Sequence, residues 1–148
     1  MSVLRCNVMT DYDWKNDRRI VEILAREPPI HFPARDLEPY PQPVSADQLR
    51  DGSLYYCLNY VDHEMLIPVM DSIVFIGRNL KPGDAGLCYF QQICWYDEGK
   101  TFDSEAECDD AIFYARAENK LSDIFEYELA LEELMRCSLR RKGALGEE

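Results

Sequence analysis

The sequence predicts an α+β fold: an antiparallel β-sheet of about three to five strands packed against a long C-terminal helix or helix pair, with an N-terminal helix. Three observations predict it. Residues 53–96 gather aromatic and β-branched residues into short runs separated by turn residues, the pattern of strands. Residues 97–148 place apolar residues at helical spacing behind a capping signal, and residues 10–26 do the same on a shorter scale. With 148 residues, 47% of them apolar and 30% charged, the chain has the size and composition of one folded domain, residues 1–148.

Each element has its own reason. Leu4, Cys6 and Val8 alternate with polar residues, a short strand signal. Thr10 then caps a helix with Asp11 and Asp13 in its first turn and Trp14, Ile20, Val21, Ile23 and Leu24 along one side. Pro28-Pro29 ends it, because a residue before proline avoids the helical region. Six of the eight prolines lie between Pro28 and Pro43. That segment reads as extended, and its prolines miss the P-x-x-P register of SH3-type ligands. A short helix follows at Ser45–Arg50.

In the β-rich stretch, Leu54–Val61 is a strand and Asp62-His63-Glu64 a turn. Met65-Leu66-Ile67 starts a return strand that Pro68 interrupts or confines to an edge. Ser72–Leu80 is the clearest strand, with Gly77 marking a bulge or close packing under an aromatic ring such as Tyr89 or Trp95. Lys81-Pro82-Gly83-Asp84 fits a type II turn. Leu87–Tyr96 runs back with apolar residues on both faces, which implies a central strand; Gln91 and Gln92 interrupt it and need hydrogen-bond partners or a pocket. From Ser104 and Glu107, a capping box, the reading is helical. Cys108, Ala111, Ile112, Ala115, Leu121, Ile124, Phe125, Leu129, Leu131, Leu134 and Met135 form the buried stripe. Asn119-Lys120 divides one helix or joins two. Arg136, Arg140, Arg141 and Lys142 suit the last turns electrostatically, and Gly143 is the stop.

Charge narrows the partners. There are 28 acids and 16 bases, net −12, and residues 97–133 alone hold thirteen acids and three bases. Such a field repels phosphate backbones and steers a basic protein inward. No apolar run has the length of a membrane span, and the N-terminus lacks the build of a signal peptide. Six scattered cysteines without a C-x-x-C pair fit free thiols in a reducing compartment, so the expectation is a cytoplasmic protein without nucleic-acid or membrane partners.

Catalytic motifs fail one by one. His63-Glu64-Met65-Leu66-Ile67 has isoleucine where a zinc-protease motif needs its second histidine. Glycine-rich phosphate loops and the G-x-S-x-G elbow are missing. Asp97–Cys108 lacks the central glycine and closing glutamate of a calcium loop. No cofactor and no metal site is expected. Two constellations remain for an enzyme or ligand binder. One is Cys57 as nucleophile with His63 as base. The other is a pocket of Tyr55, Tyr60, Tyr89, Gln91 and Gln92. Against these stands a non-enzymatic protein-binding module, of which a bacterial immunity-type, toxin-neutralising protein is the concrete version. Its acids Glu105, Asp109 and Asp110 would face the partner, and Glu126, Glu128, Glu132 and Glu133 read as a solvated face. The apolar faces of residues 87–96 also suggest a homodimer burying Tyr89, Phe90 or Trp95, the rival being a monomer sealed by the proline segment.

Overall fold

The computed structural model describes residues 18–26, 28–29, 33–102 and 112–146. Met1–Asp36 and Leu37–Glu148 form separate units. In the first, Arg18–Arg26 is helical (α1) and ends just ahead of Pro28-Pro29. The expected strand at Leu4–Val8, the Thr10 cap and Trp14 lie outside the described residues.

The second unit is built on one five-stranded antiparallel sheet in the order β4-β3-β2-β1-β5. β1 is Leu54–Tyr60, β2 Pro68–Arg78 and β3 Leu87–Gln92. Phe113–Ala117 is β4 and Ile124–Phe125 is β5. Ahead of β1, residues 33–44 run without helix or strand into a 3-10 turn at Ala46–Gln48, where the Gln48 side chain accepts from the Ser45 backbone N–H at 2.9 Å. β2 is a single eleven-residue strand that opens on Pro68, rather than a strand interrupted there. Proline is tolerated in a first strand position, where it removes little of the ladder. β3 reaches β2 only as far as Ile73, so Pro68–Ser72 pairs with β1 alone.

Two expectations are corrected by the course of the chain. Leu87–Tyr96 is not one strand: it stops at Gln92, and Ile93–Asp97 forms a short helix, α2. Gly99, at φ 77°, supplies the left-handed residue that ends α2. The Gly99 N–H donates to the Tyr96 carbonyl and the Lys100 N–H to the Trp95 carbonyl, a Schellman closure. The helical reading of residues 112–125 is also wrong. Ile112 is in a turn, Ala115 is in β4, and Ile124 and Phe125 are β5, because pairing with β3 and β1 outweighs the local helical pattern. Glu118-Asn119-Lys120 is a turn between strands. The C-terminal helix is therefore one helix, α3, Tyr127–Leu145, and it stops at Gly146 (φ 69°) rather than at Gly143. Ser104, Glu107 and Cys108 lie outside the described residues.

The sheet has two differently covered faces. On one, Tyr55, Cys57, Ile73, Phe75, Cys88, Phe90 and Ile124 form a core with Val44, Leu49 and Leu121. The end of the proline segment thus plugs this face. On the other, Leu58 and Phe125 pack against Ala130, Leu129 and Leu134 of α3. The same sheet face continues to Tyr89, whose ring meets Phe102 at 5.1 Å, and Phe102 meets Phe113 at 5.5 Å.

The β4–β5 connection shows that the sheet is curled. In a flat five-stranded sheet its edges stand roughly 19 Å apart at the usual strand spacing. Fully extended, the seven steps from Ala117 to Ile124 could span roughly 23–25 Å. Yet this connection is folded, with the Lys120 N–H on the Ala117 carbonyl and the Ile124 N–H on the Leu121 carbonyl. The edges must therefore approach, and Arg116 beside β3 meets Asp123 ahead of β5 at 3.5 Å. The Cys57–Phe75–Phe90 core lies on the concave side, as in a partly open barrel.

Gly77 is part of this curvature. Phe75 pairs with Phe90 and Gly77 with Tyr89, leaving Ile76 as the extra residue of a bulge. Gly77 has φ 145°, and a Cβ there would stand 3.0 Å from Leu80 Cδ2. The close neighbour is thus Leu80 rather than an aromatic ring. Gly77→Val should cost about 1–3 kcal/mol in urea denaturation, through overpacking and a backbone that β-branched residues disfavour; an unchanged midpoint would show that the bulge tolerates a side chain.

Candidate functional site

Three groups of polar side chains on this framework are candidates for chemistry or binding. The most buried lies on α3. Glu133, Arg136 and Arg140 are three and seven residues apart, which places them along one side of a helix. That side faces the end of β1, where Tyr60 follows Tyr56 and Leu58 on the same sheet face. Glu133 is 2% exposed and accepts three hydrogen bonds at once. Tyr60 donates to its Oε1 at 2.6 Å and Arg140 Nη2 to the same oxygen at 3.1 Å. Arg136 Nε donates to Oε2 at 2.8 Å, and Arg140 Nη2 also reaches the Tyr60 oxygen at 2.7 Å.

The arginines extend the cluster outward. Arg136 Nη1 donates to the Glu38 carbonyl of the proline segment, and Arg140 Nε to the Met65 carbonyl of the β1–β2 loop. Burial pushes the Glu133 carboxyl up, but the hydrogen bonds from Tyr60, Arg136 and Arg140 outweigh it and hold the group below its ordinary range. Burial, then the Glu133 carboxylate, pushes the Tyr60 hydroxyl up. These residues are positioned against one another, and the cluster's evident work is to fasten α3, the loop and the proline segment to β1. The sequence reading of Glu133 as a solvated acid and of Arg136 and Arg140 as dipole cations is corrected here. The available signal was their shared side with Ala130 and Cys137, both of them buried.

The second group surrounds Cys57. Its thiol donates to Asp123 Oδ2 at 3.4 Å, and Asn59 Nδ2 donates to the sulfur at 3.3 Å. Arg116 pairs with the same Asp123. Burial, reinforced by the Asp123 carboxylate, pushes the Cys57 thiol up to about 11. His63 stands in the turn after β1, beside Asp62, and is not among the groups that act on the thiol. At neutral pH the sulfur is a protonated donor, not a thiolate.

The tyrosines and glutamines expected to line one pocket are engaged separately. The Tyr55 hydroxyl accepts from the Arg50 N–H at 3.0 Å. Tyr89 donates to Asp84 at 2.6 Å in the Lys81–Asp84 turn. Gln91, 1% exposed, donates from Nε2 to the Lys100 carbonyl and so holds the chain after α2, while the Gln92 N–H bonds the Ile112 carbonyl. Glu105, Asp109 and Asp110 lie outside the described residues.

The third group is an open polar cleft of about 570 Å³ beside the start of β1, lined by Asp47, Gln48, Arg50, Ser53, Leu54, Tyr55 and Glu126. The neighbouring Ser45 hydroxyl and the backbone hold the Asp47 carboxyl below its ordinary range, so it stays anionic. Glu126 is exposed at the start of α3. Among the described residues no group of three or more His, Cys, Asp or Glu is placed to hold a metal ion, and no helix is long and apolar enough to cross a membrane. Compared with protein-family models, curated proteins and solved structures, the chain matches none.

Two measurements check these assignments. Glu133→Ala would leave two arginines around an empty acceptor and should cost on the order of 3–5 kcal/mol by urea denaturation. Because the folded Glu133 carboxyl lies below its ordinary value of 4.5, its contribution is present above that pH and is lost as the pH falls through the folded value. The difference between wild type and Glu133→Gln should therefore shrink on acidification; a constant difference from neutrality to low pH would contradict the ionised carboxylate. For Cys57, iodoacetamide near neutral pH should modify the thiol only as the chain unfolds. A Cys57 that outpaces the half-buried Cys94 in the native protein would refute the raised value.

Proposed function

We propose that this chain is a non-enzymatic protein-binding module that receives a basic partner on its acidic surface, in the manner of an immunity-type, toxin-neutralising protein. The observation that carries this reading is the open cleft in which two carboxylates, Asp47, held anionic, and Glu126, stand against one cation, Arg50, beside the exposed apolar Leu54, in a chain of net charge −12. Cationic side chains of a partner would meet carboxylates there and an apolar contact beside them, and the wider negative field would speed their arrival. Glu105, Asp109 and Asp110 belong to the most acidic stretch of the sequence and add to the same field.

The rival reading, catalysis by Cys57 and His63, asks for a thiolate, and a thiol pushed up to about 11 counts against it. A dimer through Tyr89, Phe90 and Trp95 is disfavoured on similar physical grounds, since these side chains are 4, 0 and 9% exposed in the single chain. A foreign basic protein is the partner this surface suits.

The test uses an arginine-rich 20-residue peptide as probe and stopped-flow association at low ionic strength. Asp47→Asn with Glu126→Gln should slow association several-fold, and Glu105→Gln, Asp109→Asn with Asp110→Asn should do likewise, with urea midpoints unchanged. Removing two exposed charges elsewhere, by Glu38→Gln with Glu64→Gln, should have the smaller effect. Equal slowing by the control pair would reduce the cleft to bulk charge, and an unchanged on-rate in every variant would remove the proposal.

A further inference from the structure

The C-terminal part of α3 carries a surface of the opposite character. Residues 134–148 hold four bases against two acids, Glu147 and Glu148, in a chain where acids outnumber bases 28 to 16. Two hollows, of about 290 and 390 Å³, adjoin one another along this stretch and share Arg141 and Leu145 as walls. Leu134 and Pro68 contribute to the first, and Leu66 and Ile67 to the second. Ile67 is 54% and Leu145 72% exposed. Arg141 and Lys142 are exposed and make no ion pair among the described residues, in contrast to Arg136 and Arg140, which point to the Glu133 side of the same helix. The nearby Asp62 carboxylate is turned to the Leu66 and Ile67 N–H groups, at 2.9 and 2.7 Å.

We propose that this groove is a second docking site, distinct from the acidic cleft, and that its occupant is an acidic amphipathic helix of a partner protein. Length, charge and shape all favour that occupant. From Leu134 to Leu145 the groove follows roughly 16 Å of helix, the rise of about three turns, which matches apolar anchors at i, i+4, i+7 and i+11 on a partner helix. Carboxylates flanking those anchors meet Arg141 and Lys142, two cations that make no ion pair among the described residues. A nucleic acid would need many phosphate contacts and would meet only this pair against a strongly negative chain. At physiological salt the Debye length is about 8 Å, so the remote acidic surface is largely screened while these adjacent charges act on a docked helix.

The experiment titrates the full chain, isotopically labelled, with a synthetic 14-residue helical peptide bearing leucine at positions 1, 5, 8 and 12 and glutamate on the flanks. Saturable NMR shifts confined to Leu66, Ile67, Ser138 and residues 141–145 are expected. Affinity should fall roughly tenfold, about 1.4 kcal/mol, in Arg141→Glu with Lys142→Glu and for a lysine-flanked version of the peptide. Arg141→Gln with Lys142→Gln, which opposes the helix dipole less, should give an intermediate loss with an unchanged melting curve. Asp47→Asn with Glu126→Gln should leave the titration unaltered, so this site stands or falls apart from the acidic cleft. Four results would overturn the proposal: no saturable shift, equal affinity for the lysine peptide, or binding to phosphatidylcholine vesicles with 30% phosphatidylserine in place of the peptide. The fourth is self-association of the peptide-free chain that the Arg141/Lys142 variants abolish.

Discussion

The second unit depends on one carboxylate. Glu133 is taken out of water and surrounded by a phenol and two guanidinium groups, each of which also reaches a different part of the chain. Through Tyr60 it holds β1, through Arg140 the β1–β2 loop, and through Arg136 the proline segment at Glu38. A buried ion pair adds little stability compared with a well-packed apolar cluster of the same size. What it adds here is geometry. A hydrophobic contact allows α3 to slide along the sheet, whereas three directional donors on one carboxylate fix both its rotation and its height.

The same helix is divided along its length. Its first half sits on Leu58 and Phe125 and carries the buried acid, while its last turns are cationic, apolar and free of carboxylates. The acidic cleft at the start of β1 takes Glu126 from the cap of this helix, and the groove follows its last turns, so the two surfaces lie toward its opposite ends and present opposite charge. A module with two such surfaces has a physical basis for distinguishing two partners by sign alone.

Most of the sheet from Leu54 to Gln92 was legible in the sequence because its signals are local: aromatic and branched runs, the Pro82-Gly83 turn, and a glycine inside a strand that marks a bulge; only the start of β2 at Pro68 was misread, because proline there looks like an interruption. Residues 112–125 were not legible, because Ala115, Leu121 and Ile124 fall at helical spacing by coincidence. Only pairing with β3 and β1, invisible in a local window, makes them strands. The end of the run at Gln92 was readable in principle from Asp97-Glu98-Gly99, whose glycine closes a helix as readily as it makes a hairpin. As for the candidate sites, Cys57 and His63 were near in sequence but their surroundings were not knowable. Asp123, which fixes the thiol's protonation, comes from 66 residues away. The Glu133 cluster left only one trace, its helix side shared with Ala130 and Cys137, because exposed and buried acids otherwise look alike until the partner strand is placed.

The short connection from β4 to β5 bears on how the molecule is made. β1 through β4 are neighbours in both sequence and space, so a growing chain can assemble them as they emerge. The outer edge of β1 must wait for Ile124 and Phe125, and the Glu133 anchor for α3 later still. Until then the nascent chain carries an unpaired β1 edge beside an unclosed apolar interior, the kind of surface that recruits chaperones or a neighbouring strand. Curling the sheet shortens that interval. Once Ala117 has left the ribosome, six further residues bring the closing strand, and a turn rather than a long crossover delivers it to its place.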